Sequence, residues 1–303
     1  MSLSEPELQT MAALRTATFR VLEPDDRDAL EAFLRARTDS SLFLLSNLHW
    51  GGVTYRGETY QAQYVAKLVD SQITAVAAHC WNGNILLQAP ESVDELMRLL
   101  ARKTTRPIGG LVGPWTQVVA AREALKLRDV AVRTENSQDL FSLDLSDLIV
   151  PGALATGQVT CRRSVPEDRE RLVAWSEAYN VEALGATAGP ALHRSCTRLF
   201  DRHLAEGNRW ILFDEEEPVA MAAFNAQLPD CVQLGSVWTP PALRGRGYAR
   251  CVVAGALCDA RNQGVRRAVL FAHDPWAQQA YKAIGFRFVG NYGSILLKEP
   301  RPL

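Results

Sequence analysis

Cys231-Val232-Gln233-Leu234-Gly235-Ser236-Val237-Trp238 runs into Thr239-Pro240-Pro241 and then into Arg244-Gly245-Arg246-Gly247-Tyr248-Ala249. The first eight residues read as an apolar strand. The two prolines stop its ladder, because neither can donate a backbone N–H. Beyond the loop the spacing predicts a helix to about Gln263, with Ala249, Val252, Val253, Ala256 and Ala260 on one side. A strand that ends in a glycine loop and passes directly into a helix presents unpaired N–H groups at the positive end of the helix dipole. Such a junction is an anion cradle. Glycine removes the side chains that would keep a phosphate off the backbone, and Arg244 and Arg246 add charge.

Two common phosphate loops fail on residues. A Walker loop needs GxxxxGK followed by Ser or Thr, and no lysine stands here. The dinucleotide fingerprint would start at Gly245-Arg246-Gly247, but Arg250 occupies the place of its third glycine. What remains is RxxGxA over Arg244–Ala249, followed by Ala280-Tyr281-Lys282-Ala283-Ile284-Gly285-Phe286. Strand, Pro-Pro, RxxGxA, helix, strand and YxxxGF in this order resemble the GNAT superfamily of acyl-CoA-dependent N-acyltransferases, over about Val159 to Leu297.

That resemblance implies a cosubstrate, acetyl-CoA. It carries the pyrophosphate contacts to Arg244, Gly245, Arg246, Gly247, Tyr248 and Ala249, and the pantetheine-pairing strand to Val237, Trp238 and Thr239. It makes Tyr281 the general acid for the leaving thiolate. A phenol and a thiol have comparable acidities, so a tyrosine can donate as charge develops on sulfur. One position departs from the pattern: where many members show Asn-Pro-x-Ser, this chain has Asp274-Pro275-Trp276-Ala277, and a carboxylate can accept but not donate. Asp274 is kept as a cofactor contact on position alone. Glu177, Glu182 and Asp274 border the acceptor in the family layout, and none is assigned as the base. Trp238 and Trp276 flank the cofactor segment, and one of them is expected to shape the acceptor pocket.

A second pattern is internal. Phe19-Arg20-Val21-Leu22-Glu23-Pro24-Asp25-Asp26 reads against Cys161-Arg162-Arg163-Ser164-Val165-Pro166-Glu167-Asp168. Both segments say strand, proline, acidic first helical turn. The expected organisation is therefore two GNAT-like α/β domains, each a mixed, mostly antiparallel sheet flanked by helices. The first spans residues 13–150, a linker 151–158, and the acyl-CoA-binding domain 159–303. The first copy lacks the loop. Gln88-Ala89-Pro90-Glu91-Ser92 puts an acid at the helix entrance, where it repels pyrophosphate, so the cofactor is expected only in the second domain.

Composition agrees with a globular protein of two cores. The 303 residues are 47% apolar and carry 33 basic against 34 acidic groups, a net charge of -1 that gives no reason to expect nucleic acid. No apolar run approaches the roughly 18 to 20 residues of a membrane span, and Met1 to Thr10 is polar, so the cytoplasm is the expected location. The six cysteines show no CxxC pair and no histidine at metal-ligand spacing, so free thiols and no metal are expected. The acidic run Asp214 to Glu217 reads as a hairpin turn in water. Acetyl transfer to the primary amine of a small molecule, by a monomer or homodimer, is the leading reading. An inactive acyl-CoA sensor or scaffold, or acetylation of a protein N-terminus, are the alternatives.

Overall fold

The structure, a computed structural model, describes residues 17–302. The expected start of the first domain at residue 13 and the polar stretch Met1 to Thr10 lie outside the described residues. The chain forms two compact units. One takes the residues up to Asn136 together with those from Gly293 on, and the other is Ser137–Tyr292.

In the second unit the chain order is the end of β6 (Val132–Asp144), a short α5 (Gly152–Ala155), β7 (Val159–Arg163), α6 (Arg169–Leu184), α7 (Pro190–Glu206), β8 (Arg209–Asp214) and β9 (Glu217–Gln227). Then come β10 (Cys231–Trp238), α8 (Tyr248–Asn262), β11 (Arg267–Ala272), α9 (Pro275–Lys282) and the start of β12 (Arg287–Arg301). The sheet order is β6-β11-β10-β9-β8-β7. β10 and β11 run parallel, and the other pairs in that order run antiparallel. A parallel neighbour cannot be reached by a tight turn, so α8 must cross between them, and its N-terminus comes to the carboxyl end of β10. α8 buries Val252, Val253, Ala256, Leu257 and Ala260 against Val232, Leu234, Ala268 and Leu270. At roughly 1.5–3 kcal/mol per large apolar side chain, that face alone holds the helix. The opposite face carries α6 and α7 over Ile211, Met221 and Trp238.

The first unit repeats the plan with β1 (Ala17–Val21), α1 (Arg27–Arg35), α2 (Thr38–Gly51), β2 (Ala62–Val69), β3 (Gln72–Cys80), β4 (Asn84–Gln88), α3 (Val93–Lys103), β5 (Ile108–Pro114) and α4 (Trp115–Ala124). Its sheet runs β1-β2-β3-β4-β5 and continues into the last part of β12. Here β4 and β5 are parallel, with α3 as the crossover.

The internal match holds atom by atom. Arg20 donates twice to the Asp26 carboxylate, each at 2.6 Å, and Arg162 donates twice to Asp168, at 2.7 and 2.9 Å. Each aspartate also accepts the N–H three residues earlier, Glu23 or Val165, at 2.8 Å. The residue after each first strand donates to the second strand, Leu22 to the Tyr64 carbonyl, and its counterpart Ser164 to that of Arg209. Two forked ion pairs of this kind fix the turn from strand to helix in both copies.

Two boundaries differ from the sequence reading. The units divide at 136/137 and 292/293 rather than across 151–158, because β6 and β12 each run on through a boundary. The stretch expected as a linker holds α5, capped by the Pro151 carbonyl accepting from Leu154 and Ala155. All six cysteines are free, and among the described residues no group of His, Cys, Asp and Glu could hold a metal ion. Among them too, no helix is long and apolar enough to cross a membrane.

Candidate active site

β10 separates from its neighbours over the residues that the sequence assigns to the pantetheine. Its pairing with β11 runs from Cys231↔Arg267 to Leu234↔Leu270 and stops there, although β11 continues to Ala272. On the other side Gly235 pairs with Ala223 and Trp238 with Met221, so Ser236 and Val237 together face the single residue Ala222. That is a β-bulge, and at its centre Ser236 has φ +49°. From Gly235 to Trp238 the β11 side of the strand is free of ladder bonds. Backbone amides are left available for an extended ligand in the cleft.

The strand then delivers the chain to the loop. The Thr239 carbonyl accepts from Arg244 Nε at 3.1 Å, and the Thr239 hydroxyl is buried without a partner. An unsatisfied buried hydroxyl at the strand's end suits a polar ligand group. Gly245 and Gly247 have φ of +80° and +82°, conformations that strain any residue with a Cβ. Gly247 is the N-cap of α8 and no side chain caps it. Cys251 makes the first helical bond, to the Gly247 carbonyl, so the amides of Tyr248, Ala249 and Arg250 point out of the first turn. A Cβ at Gly247 would lie 3.0 Å from the Arg250 guanidinium, which places that side chain at the helix mouth. Arg244, Arg246 and Arg250 are all exposed around it.

Other partners set the loop. Tyr248 is buried, and its hydroxyl donates to Asp214 at the end of β8. That bond and burial raise the phenol's pKa, while Arg246 opposes them. Arg244 pairs with Glu182 of α6 at 2.8 Å and lies 4.8 Å from the Trp238 ring centre. Its guanidinium is a brace between loop, strand and helix.

Tyr281, on α9, is buried in the main core beside Phe286. Burial pushes its phenol well above the ordinary range, and Tyr179 and Asp274 add to the effect. It is protonated at neutral pH, as a general acid must be. Asp274 serves the backbone of its own helix, since its Oδ2 accepts from the Ala277 N–H at 2.9 Å and caps α9. Glu177 meets His193 Nδ1 at 2.6 Å. All three carboxylates that border the family's acceptor site are therefore committed elsewhere. Trp238 is buried in the core with Ile211 and Met221, and Trp276 is 79% exposed in the first turn of α9.

Sequence reasoning missed Tyr179 and Asp214. Tyr179 stands on α6 with its ring edge-on to Trp238, centroids 6.4 Å apart, and burial raises its phenol's pKa. No motif marks it. The acidic run is a solvated turn only at Glu215 to Glu217; Asp214 is half-buried and anchors the loop through Tyr248.

The first unit differs at the equivalent place. β4 and β5 remain in contact past their ladder, since a Cβ at Gly113 would lie 2.9 Å from Leu87. Gln117 Oε1 accepts the Ala89 N–H at 2.7 Å and ties strand to helix. At the entrance of α3, Glu91 pairs with Lys67 at 3.0 Å, and Asp94 and Glu95 stand in the first turn.

Residues 171–286 match the acetyltransferase (GNAT) family. Three solved structures share the fold across nearly the whole chain. A Drosophila protein is 15% identical, with a TM-score of 0.61, covering 93% of this chain and 99% of its own. A GCN5-related N-acetyltransferase from Sphaerobacter thermophilus is 14% identical, at 0.56, covering 94% and 96%. A tandem GNAT protein from the clavulanic acid biosynthesis pathway is 11% identical, at 0.51, covering 92% and 98%. No curated protein matches the chain. The second unit thus contains a GNAT-family domain, and the first resembles a second copy of the GNAT fold.

Proposed function

We propose that the second unit transfers an acetyl group from acetyl-CoA to the primary amine of a small molecule. The observation that carries this reading is the bulged, one-sided strand β10 running straight into an uncapped helix mouth ringed by three arginines. The diphosphate would lie on the amides of Tyr248, Ala249 and Arg250 and the pantetheine along Val237 and Trp238. Bulge amides would face the thioester carbonyl, where oriented donors stabilise the developing oxyanion.

The amine nitrogen attacks the carbonyl carbon and the C–S bond breaks. The sulfur takes its proton from Tyr281, and the phenolate recovers one from the amine. Because Glu177, Glu182 and Asp274 all have partners, the second ammonium proton leaves through water to solvent. Net charge near zero argues against a nucleic acid partner. Cytoplasmic placement and a monomer or homodimer complete the proposal.

Thiol release from acetyl-CoA over a library of amines, amino acids, polyamines and aminoglycosides tests it. Acceptor-dependent release is expected. Tight binding with no such release would favour the sensor, whose support is the replacement of the family's asparagine by the cap residue Asp274.

A further inference from the structure

Arg209 opens β8 and is 1% exposed. Its side chain lies on the face of the sheet that carries α6, where Nη1 donates to the Ser176 hydroxyl at 3.2 Å. That hydroxyl gives its own hydrogen to the Leu172 carbonyl at 2.7 Å, so it meets Arg209 with a lone pair. Nε and Nη2 are buried with no partner. Burial draws the guanidinium's pKa down to about 10, which leaves it charged at neutral pH, and Arg202 adds a like charge. Among the described residues no carboxylate is bonded to it. A buried cation without a counter-charge is among the costliest arrangements a fold can hold. The two unused donors also belong together: Nε–H and the adjoining Nη2–H point the same way and form a fork that matches the two oxygens of a carboxylate.

The strand register shows what lies in front of that fork. Arg209 and Gly235 pair with the same residue, Ala223, from its two sides, so they stand two strand spacings apart, about 10 Å. On this face Ala223 offers a methyl group and Gly235 no side chain. A Cβ on Gly235 would collide with the Asn225 carboxamide, which puts Asn225 on the same face, and Asn225 is exposed. The row thus leads from an empty fork over the smallest side chains to the point where β10 leaves β11, with solvent beside it.

We propose that the Nε/Nη2 fork of Arg209 is the receptor for a carboxylate, and that the acceptor is therefore an amino acid, its carboxylate on the fork and its amine toward Gly235. The identity of the acceptor rests on the acetyl-transfer reading. The carboxylate site itself does not, since it follows from the buried, uncompensated guanidinium.

Isothermal titration of the full chain, without acetyl-CoA, compares amino acids with their amides: alanine, phenylalanine, lysine, β-alanine and γ-aminobutyrate, each beside the compound in which a carboxamide replaces the carboxylate. The acid that binds best should do so at least about tenfold more tightly than its amide, the worth of a charge-assisted fork. Acetate, with two oxygens and no amine, should displace it, and chloride at the same concentration should not. Arg209→Lys keeps the charge and loses the fork, and should bring the preference below about twofold. Should the lysine chain fail to fold, the parent's ratio of acid to amide still decides. No binding by any acid, acid and amide binding alike, chloride competing as well as acetate, or a preference that survives in Arg209→Lys overturns the proposal. The same compounds are then offered with acetyl-CoA. Transfer to amines regardless of a carboxylate would overturn the proposal and leave the acetyl-transfer reading standing. Carboxylate binding with transfer to no amine would overturn that reading and leave the fork a carboxylate receptor.

Discussion

The guanidinium of Arg244 lies 2.8 Å from the carboxylate of Glu182, and the same side chain holds the Thr239 carbonyl. An arginine engaged on both sides has few donors left for phosphate. Arg246, exposed on the next glycine-flanked position, is the freer cation. Arg246→Ala should weaken acetyl-CoA binding by roughly tenfold, the loss of one charge-assisted bond, and flatten its salt dependence. Glu182→Gln should leave affinity within about threefold and lower the melting temperature slightly, as for an exposed ion pair. Isothermal titration at two salt concentrations separates the two.

One acetyl-CoA should bind per chain. In the first unit Leu87 packs against Gly113 and Gln117 bonds Ala89, so β4 and β5 stay together where β10 and β11 separate. Gly247→Glu, which places a carboxylate and a strained backbone at the mouth of α8, should abolish all heat of binding. Residual binding after that substitution would mean that the first unit also holds the nucleotide.

Tyr281→Phe removes the proposed proton donor but keeps the ring in its core. Turnover should fall at least about a hundredfold, the low end of the range for general acids, with acetyl-CoA affinity almost unchanged. Equal turnover in the variant would remove the phenol from the reaction.

Acid should destabilise the second unit through His203. Burial, reinforced by the Arg209 guanidinium, pushes its pKa down to about 3, against about 6.5 in an unfolded chain. Between those values the unfolded chain binds a proton that the folded chain refuses, so stability falls as pH drops through that window. Melting temperatures measured from pH 7 to pH 5 should decline more gently in His203→Gln than in the parent. His79, pushed down to about 4 mainly by burial, works in the same direction in the first unit.

Much of this is readable from residue order. β10 falls on the residues its apolar run indicates, and the paired Arg-to-Asp motifs announce two copies because the same turn needs the same side chains. β6 is invisible there: Arg133 to Asp139 is polar at every position, and its burial comes from neighbouring strands rather than from its own pattern. Tyr179 is equally silent. A tyrosine on a helix looks like any half-buried aromatic until the strand beneath it bulges, and nothing in the spacing of Gly235-Ser236-Val237 distinguishes a bulge from a regular strand.

The residues from Gly293 onward complete the unit that begins the chain. During translation, then, that unit must wait for residues made after Tyr292, while Ser137–Tyr292 is synthesised without interruption and can fold earlier. The nascent first unit spends most of its synthesis with β5 lacking its later-made neighbour, an unpaired edge open to misassembly. Cutting the gene near codon 150 would separate that strand from its sheet for good.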